Sequence, residues 1–236
     1  MILITAILTV IFTLSGWMGF RRIFRLDQLN QRRVINSFLV FMGILTLMTL
    51  AQWLEFFTQQ IAANITMGFY IIAAGFFSGY GGKLISLRRK SGSIEYMYRS
   101  FWTDIAPNLI AVMLVAFGLY RTGVITLGPF TGIGITSGIS LVAFGFWGWT
   151  IPVVPEFRDK GLLFLDQHVP WGQLVAYQWV AEETLEVDYL TTDESLTSFS
   201  TYIPAEDKAI IERILNRKHQ EFKEENEQEL TKSDFI

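Results

Sequence analysis

GIGITSGISLVAFGFWGWTIPVV, residues 132–154, is a run of 23 residues without a single charged side chain. As a helix rising about 1.5 Å per residue, it is long enough to cross a bilayer core of about 30 Å. The chain before it is largely apolar, and the chain after it is rich in acids and alternating patterns. The run therefore divides a membrane part from a small water-soluble part.

The composition agrees with that division. Of the 236 residues, 51% are hydrophobic and only 17% charged, against about a quarter charged in ordinary soluble domains. Mean hydropathy is +0.35. The apolar residues fall in blocks, which is the pattern of membrane spans rather than of one large core. Residues 1–155 carry 11 Lys/Arg and 4 Asp/Glu, a balance of +7, whereas residues 156–236 carry 8 and 18, a balance of −10. The soluble part is thus a poor surface for nucleic acid or for anionic lipid headgroups. With no cysteine in the chain, disulfides, thiolate metal sites and cysteine nucleophiles are excluded together.

Five spans are predicted, over residues 2–20, 34–57, 61–82, 104–120 and 132–154. The first has neither a basic n-region nor a small-x-small cleavage site, so it reads as a span rather than a removable signal. Arg21, Arg22, Arg25, Arg32 and Arg33 follow it, and Lys83, Arg88, Arg89, Lys90 and Arg99 follow the third span. Residues 58–60 have no basic residue, and the loop after the fourth span has only Arg121. By the positive-inside rule the N-terminus lies outside and the C-terminal part in the cytoplasm. Trp17, Trp102, Trp147 and Trp149 at the inner ends and Trp53 at an outer end read as interfacial belt residues. The connection SGSIEYMYRSFW, residues 91–102, is expected to carry an amphipathic stretch at the inner interface. Thr103 and Asp104 stand where they would cap the fourth span, with Pro107 in its first turn.

From Glu156 the period changes. GLLFLD, LVAYQWV, TLEVDYL and LTSFSTYI are short runs rich in β-branched and aromatic residues, separated by Pro170, Gly172, Glu182-Glu183 and Asp193-Glu194-Ser195. TLEVDYL alternates Leu185, Val187 and Tyr189 against Glu186 and Asp188, the signature of a half-buried strand. PAEDKAIIERILNRK opens on Pro204 and acids and sets Ile210, Ile211, Ile214 and Leu215 on one stripe, an amphipathic helix packing on a sheet. The charged segment 219–236 either extends that helix as a solvated face or is disordered. The expected class is a helical membrane bundle (1–155), a small α+β domain of antiparallel strands closed by a helix (156–218), and a charged tail (219–236).

The run KGLLFLDQHVPWGQLVAYQW, with Trp171 opening a strand that closes on Tyr177 and Trp179, and the Ile203-Pro204 entry to a helix ending IIERILNRK, resembles the small PH-like cytoplasmic domain of uncharacterised bacterial polytopic membrane proteins. The resemblance implies a core built on Trp171, Tyr177, Trp179, Ile211 and Leu215. It brings no catalytic residues.

Chemistry-bearing groups are few. His168 and His219 are the only histidines, and both lie outside the spans, so an intramembrane histidine metal or haem site is excluded. His168 in DQHVP reads as a polar turn residue. Glu55 is the one acid inside a predicted span, with Gln52 on the same face and Asn64 across the external turn. Together they form a candidate intramembrane polar site, weighed against simple exposure at the interface. Gly75 and Gly79, and Gly134 and Gly138, are spaced by four and can let helices approach closely. Phosphate-loop, dinucleotide and metalloprotease motifs are missing, which argues against an enzyme. The leading expectation is a non-enzymatic structural, scaffold or accessory membrane protein in a bacterial inner or thylakoid-type membrane, binding membrane or cytoplasmic protein subunits. Two alternatives are a small transporter or ion-coupled sensor using Glu55 and an accessory subunit of an energy-converting, photosynthetic-type complex. No cofactor is required, and a bound lipid or pigment stays open.

Overall fold

The computed structural model describes residues 2–23, 31–56, 58–191 and 195–233. Arg25 of the basic loop, Phe57, the Asp193-Glu194 turn and the last three residues lie outside them. The chain divides into two compact units, Met1–Ser86 with Asp104–Ile151, and Leu87–Thr103 with Pro152–Ile236.

The first unit is helical: α1 (Ile2–Phe20), α2 (Gln31–Trp53), α3 (Gln59–Lys90, continuing into the second unit), α4 (Ala106–Arg121) and α5 (Gly132–Thr150). Among the described residues, four helical stretches are long and apolar enough to cross a membrane: Ile2–Phe20, Gln59–Lys90, Phe101–Arg121 and Gly132–Thr150. α2 carries an uncharged, largely apolar run over 34–53, of which Met42–Trp53 is the apolar stretch among the described residues. The apolar side chains point outward along these helices, as with Leu14, Leu47, Phe69 and Met113, while small residues and aromatics fill the contacts between them.

Two glycine seams bring the helices together. A Cβ on Gly75 would strike the Phe12 carbonyl, and one on Gly79 the Gly16 backbone, so α1 and α3 meet backbone to backbone. Ser15 Oγ donates across this seam to the Ile72 carbonyl at 2.5 Å. In the α4–α5 hairpin, a Cβ on Gly138 would lie 2.6 Å from the Gly118 carbonyl oxygen, and one on Gly145 2.7 Å from that of Ala111. Between α3 and α5 the contact is aromatic. Phe77 meets Phe144 and Trp147 at ring-centroid distances of 4.8 and 4.9 Å, a geometry favourable beyond simple burial.

Where α4 begins, the capping expectation fails. Thr103 Oγ1 is engaged with Ser100, whose backbone N–H donates to it at 3.0 Å, and the wider-pitched turn Phe101–Ile105 leads into the helix. Asn108 Nδ2 closes that turn on the Asp104 carbonyl at 2.6 Å. At the start of α5, by contrast, Thr131 Oγ1 accepts from Gly134 N–H at 3.0 Å, a side-chain N-cap.

The second unit holds two antiparallel sheets and α6 (Lys208–Ser233). The four-stranded sheet runs in the order β1 (Ile94–Met97), β2 (Glu156–Arg158), β3 (Gly161–Phe164), β4 (Gln167–Pro170), and the three-stranded one β5 (Leu174–Ala181), β6 (Thr184–Leu190), β7 (Leu196–Tyr202). The connection 91–102 is built partly as a strand rather than as a helix. It supplies β1, paired with β2 through Tyr96 opposite Phe157 and Met97 opposite Glu156. Hence the α4–α5 hairpin is an insertion, in chain order, between the first and second strands of one sheet.

The core is Phe157, Leu162, Phe164, Val169, Leu185, Val187, Tyr189, Ile203, Ile211 and Leu215, with Trp171, Tyr177 and Trp179 packed against it as partly buried side chains. TLEVDYL places Leu185, Val187 and Tyr189 inside, as its alternation requires. Ile210 is exposed; the buried stripe of α6 is Ile211, Ile214 and Leu215. Trp171 does not open a strand. It starts a short 3-10 turn, Trp171–Gln173, and its Nε1 donates to the Arg158 and Asp159 carbonyls at 3.1 and 2.9 Å. Gly161, at φ +149°, lies so close to the Val169 carbonyl that no side chain fits. Among the described residues α6 continues as helix to Ser233.

Candidate functional site

In the second unit, β1 is held by charge as well as by its ladder. Glu156 and Arg158 are adjacent same-face positions of β2, and both are buried, with 2% and 6% of their surface exposed. Arg158 Nε donates to Glu156 Oε2 at 2.6 Å, and its Nη1 reaches the carbonyls of Arg88 and Gly92 at 3.0 and 2.7 Å. Arg88 adds a contact to Glu156 Oε1 at 3.3 Å. The buried guanidinium is thereby paired and hydrogen-bonded, the condition under which a buried charge is tolerated. Opposite this cluster, α6 grips β1: Tyr96 Oη donates to Asp207 at 2.8 Å, Lys218 Nζ lies 3.3 Å from Glu95 and 3.1 Å from Asp159, and Arg217 pairs with Glu95. Burial and the Asp207 carboxylate both push the Tyr96 phenol far up. Burial alone would push the Lys218 ammonium down, but its bonds to Glu221, Asp159 and Glu95 more than offset this and hold it above the usual lysine range.

His168 lies in β4 opposite Leu163, in a strand rather than a turn. Its Nε2 is buried without a hydrogen-bond partner among the described residues. Burial lowers its pKa, aided by the Arg158 charge and only partly opposed by a hydrogen bond with the Lys160 backbone. A histidine held neutral by folding binds its proton more readily when unfolded, so its contribution to stability is present above the unfolded pKa of about 6.5 and is lost as pH falls through it. Thermal unfolding of the second unit is accordingly expected to shift to lower temperature between pH 7 and pH 5. In His168→Gln that shift should be smaller by a few degrees, and an unchanged shift would remove His168 from the account.

The outer face of the three-stranded sheet carries the opposite sign. Glu186 faces Gln178 on one side and Ser200 on the other, and Asp188 faces Ala176 and Ser198. Gln178 Nε2 donates to Glu186 at 2.8 Å. Residues 174–203 include Glu182, Glu183, Glu186 and Asp188 and no Lys or Arg at all. The result is a face with acids and no base at its centre, Glu186 and Asp188 between Ser198 and Ser200 on one side and Ala176 and Gln178 on the other, with exposed Leu190, Leu196 and Tyr202 toward its ends.

The other sites read from the sequence separate. Glu55 is outside α2, in the turn that follows it, exposed and at φ +60°. Gln52 lines a cleft in the first unit, whose described lining includes neither Glu55 nor Asn64. Gly75, Gly79 and Gly138 lie at helix crossings, while Gly134 is occupied with its own N-cap and the nearby Arg121 carbonyl. Trp147 is part of the α3–α5 aromatic contact. Among the described residues no group of His, Asp and Glu is placed to hold a metal. Sequence reasoning missed Glu156, Arg158, Glu95 and Tyr96. The alternation Ile94-Glu95-Tyr96-Met97 was the available signal for β1.

Residues 154–220 match a family described as a domain of unknown function (DUF5673). No curated protein and no solved structure matches the chain. The matched region takes in β2 to β7 and the first half of α6, but not β1, which enters from the α3–α4 connection.

Proposed function

We propose that the chain is a non-enzymatic integral membrane protein whose extramembrane unit is a PH-like docking module for a basic protein partner. The observation that carries this reading is the acidic outer face of β5–β7, where 30 consecutive residues, 174–203, hold no Lys or Arg. Such a face repels anionic headgroups and attracts cationic protein surfaces. The PH-like description is supported by four plus three antiparallel strands closed by α6.

Topology follows from the insertion. Both ends of Asp104–Ile151 return to one compact unit, so the insert crosses the bilayer an even number of times, which is the parity of an α4–α5 hairpin. The basic residues around Lys83–Lys90 then assign this unit to the cytoplasm, in an inner or thylakoid-type bacterial membrane; with α2 crossing beside α1 and α3, three crossings put the N-terminus outside.

Purified from its native membrane in mild detergent, the full chain should co-migrate with a stoichiometric basic protein. At ~0.5 M salt, where the Debye length is roughly 4 Å, and in the Glu186→Lys/Asp188→Lys variant, retention should fall about tenfold or more. A lone chain, or a partner indifferent to both changes, would sink the reading.

A further inference from the structure

The first unit contains an open cleft of about 900 Å³ between α1, α2 and α3. It lies beside the α1–α3 seam, where Gly79 meets the Gly16 backbone and Ser15 bonds the Ile72 carbonyl, and Ser15, Ile72 and Phe76 belong to both. Ile11, Leu14 and Met18 of α1 and Ile65, Phe69 and Phe76 of α3 wall it. Their span along α3 is on the order of 16 Å at 1.5 Å per residue, a length suited to a lipid tail.

The polar lining is selective. Ser15 and Thr66 spend their hydroxyl hydrogens on the Ile72 and Ala62 carbonyls at 2.5 and 2.8 Å. Gln52 and Tyr70 also line the cleft, and neither side chain has a hydrogen-bond partner among the described residues. Both can donate, through a carboxamide N–H and a phenol O–H. No charged side chain is among the described lining residues, so a phosphate or ammonium head would lie there without a counter-charge, which is strongly unfavourable.

We propose that this cleft binds one uncharged lipid whose head carries a carbonyl oxygen. Gln52 and Tyr70 donate to oxygen atoms spaced along the lipid, and its apolar remainder lies along Ile65, Phe69 and Phe76 against α1. Prenylated quinones and acylglycerols share this chemistry. The proposal uses the membrane reading of the helical unit but not the docking role of the acidic sheet.

The test is extraction and mass spectrometry of lipids from the full chain purified in mild detergent, compared with Gln52→Leu/Tyr70→Phe and with an unrelated membrane protein prepared identically. The expected result is one neutral carbonyl lipid near one per chain, reduced about tenfold in the double variant, with elution volume and helicity unchanged. The mass of that lipid distinguishes a quinone from an acylglycerol. Neutral lipid at the unrelated protein's level in both samples, or a charged phospholipid retained stoichiometrically, would overturn it. If the double variant does not purify, Tyr70→Phe, which removes a single oxygen, carries the comparison. Resistance of the chain to alkaline extraction of membranes reads the membrane assignment separately.

Discussion

Glu156→Ala is expected to destabilise the second unit by about 3–5 kcal/mol, because it leaves the Arg158 guanidinium buried without its carboxylate. Arg158 is only 6% exposed, so water cannot replace the lost partner without opening the junction of α3, β1 and β2. For a unit of this size, about 1 kcal/mol moves the midpoint by roughly 4–8 °C, and the melt should fall by ~12 °C or more. The informative companion is Glu156→Leu/Arg158→Met, in which both charges are removed together. Replacing a whole buried pair by apolar groups is often neutral, so the double variant should melt far closer to the parent than either single variant. Tryptophan fluorescence of the full chain in detergent reads both. A Glu156→Ala melt within about 2 °C of the parent would show that the pair is not the clasp described here.

The second large effect belongs to the helical unit. Gly79→Ala adds one methyl group at a position where it would lie far under 3.0 Å from the Gly16 backbone. Backbone cannot rotate away as a side chain can, so α1 and α3 must separate, losing the Ser15–Ile72 hydrogen bond and the packing along the seam. Overpacking of this kind costs about 3 kcal/mol, and the expected outcome is loss of a monodisperse, detergent-stable species. Gly82→Ala is the matched control: the same methyl group, three residues on in the same helix, meets nothing within 4 Å. It should be neutral or slightly stabilising, since alanine favours helix by up to about 1 kcal/mol over glycine. Equal behaviour of the two variants in size-exclusion and thermal assays would count against the seam.

Much of this architecture was legible because its signals are local. The uncharged run at residues 132–154 contains α5, and TLEVDYL displays β6 in its alternation. The glycine spacing at Gly75 and Gly79 pointed to a close crossing, although only the coordinates identify Gly16 and Gly19 of α1 as the other side. What escaped has physical reasons. β2 is three residues long with charged side chains in buried positions, so neither hydropathy nor period marks it. β1 pairs with β2 across an intervening helical hairpin, and Arg158 bonds a carbonyl 70 residues away; no window of sequence contains that pairing. His168 was read as a turn residue because DQHVP is dense in turn formers, yet its ladder partner Leu163 draws it into a strand. Glu55 was read inside a span because apolar residues run through Trp53, Leu54 and Phe56, whereas α2 ends at Trp53 and the chain turns with Glu55 at φ +60°.

The central claim is that the fold of the second unit is interrupted, in chain order, by a helical hairpin, and excision of that hairpin tests it most directly. A chain in which residues 87–103 are joined by a short flexible linker to residues 152–236 should be soluble and unfold in a single cooperative transition, whereas residues 152–236 alone, lacking β1 and the Arg88 carbonyl, should be poorly folded. Equal stability and the same cooperative melt for the two proteins would contradict the account.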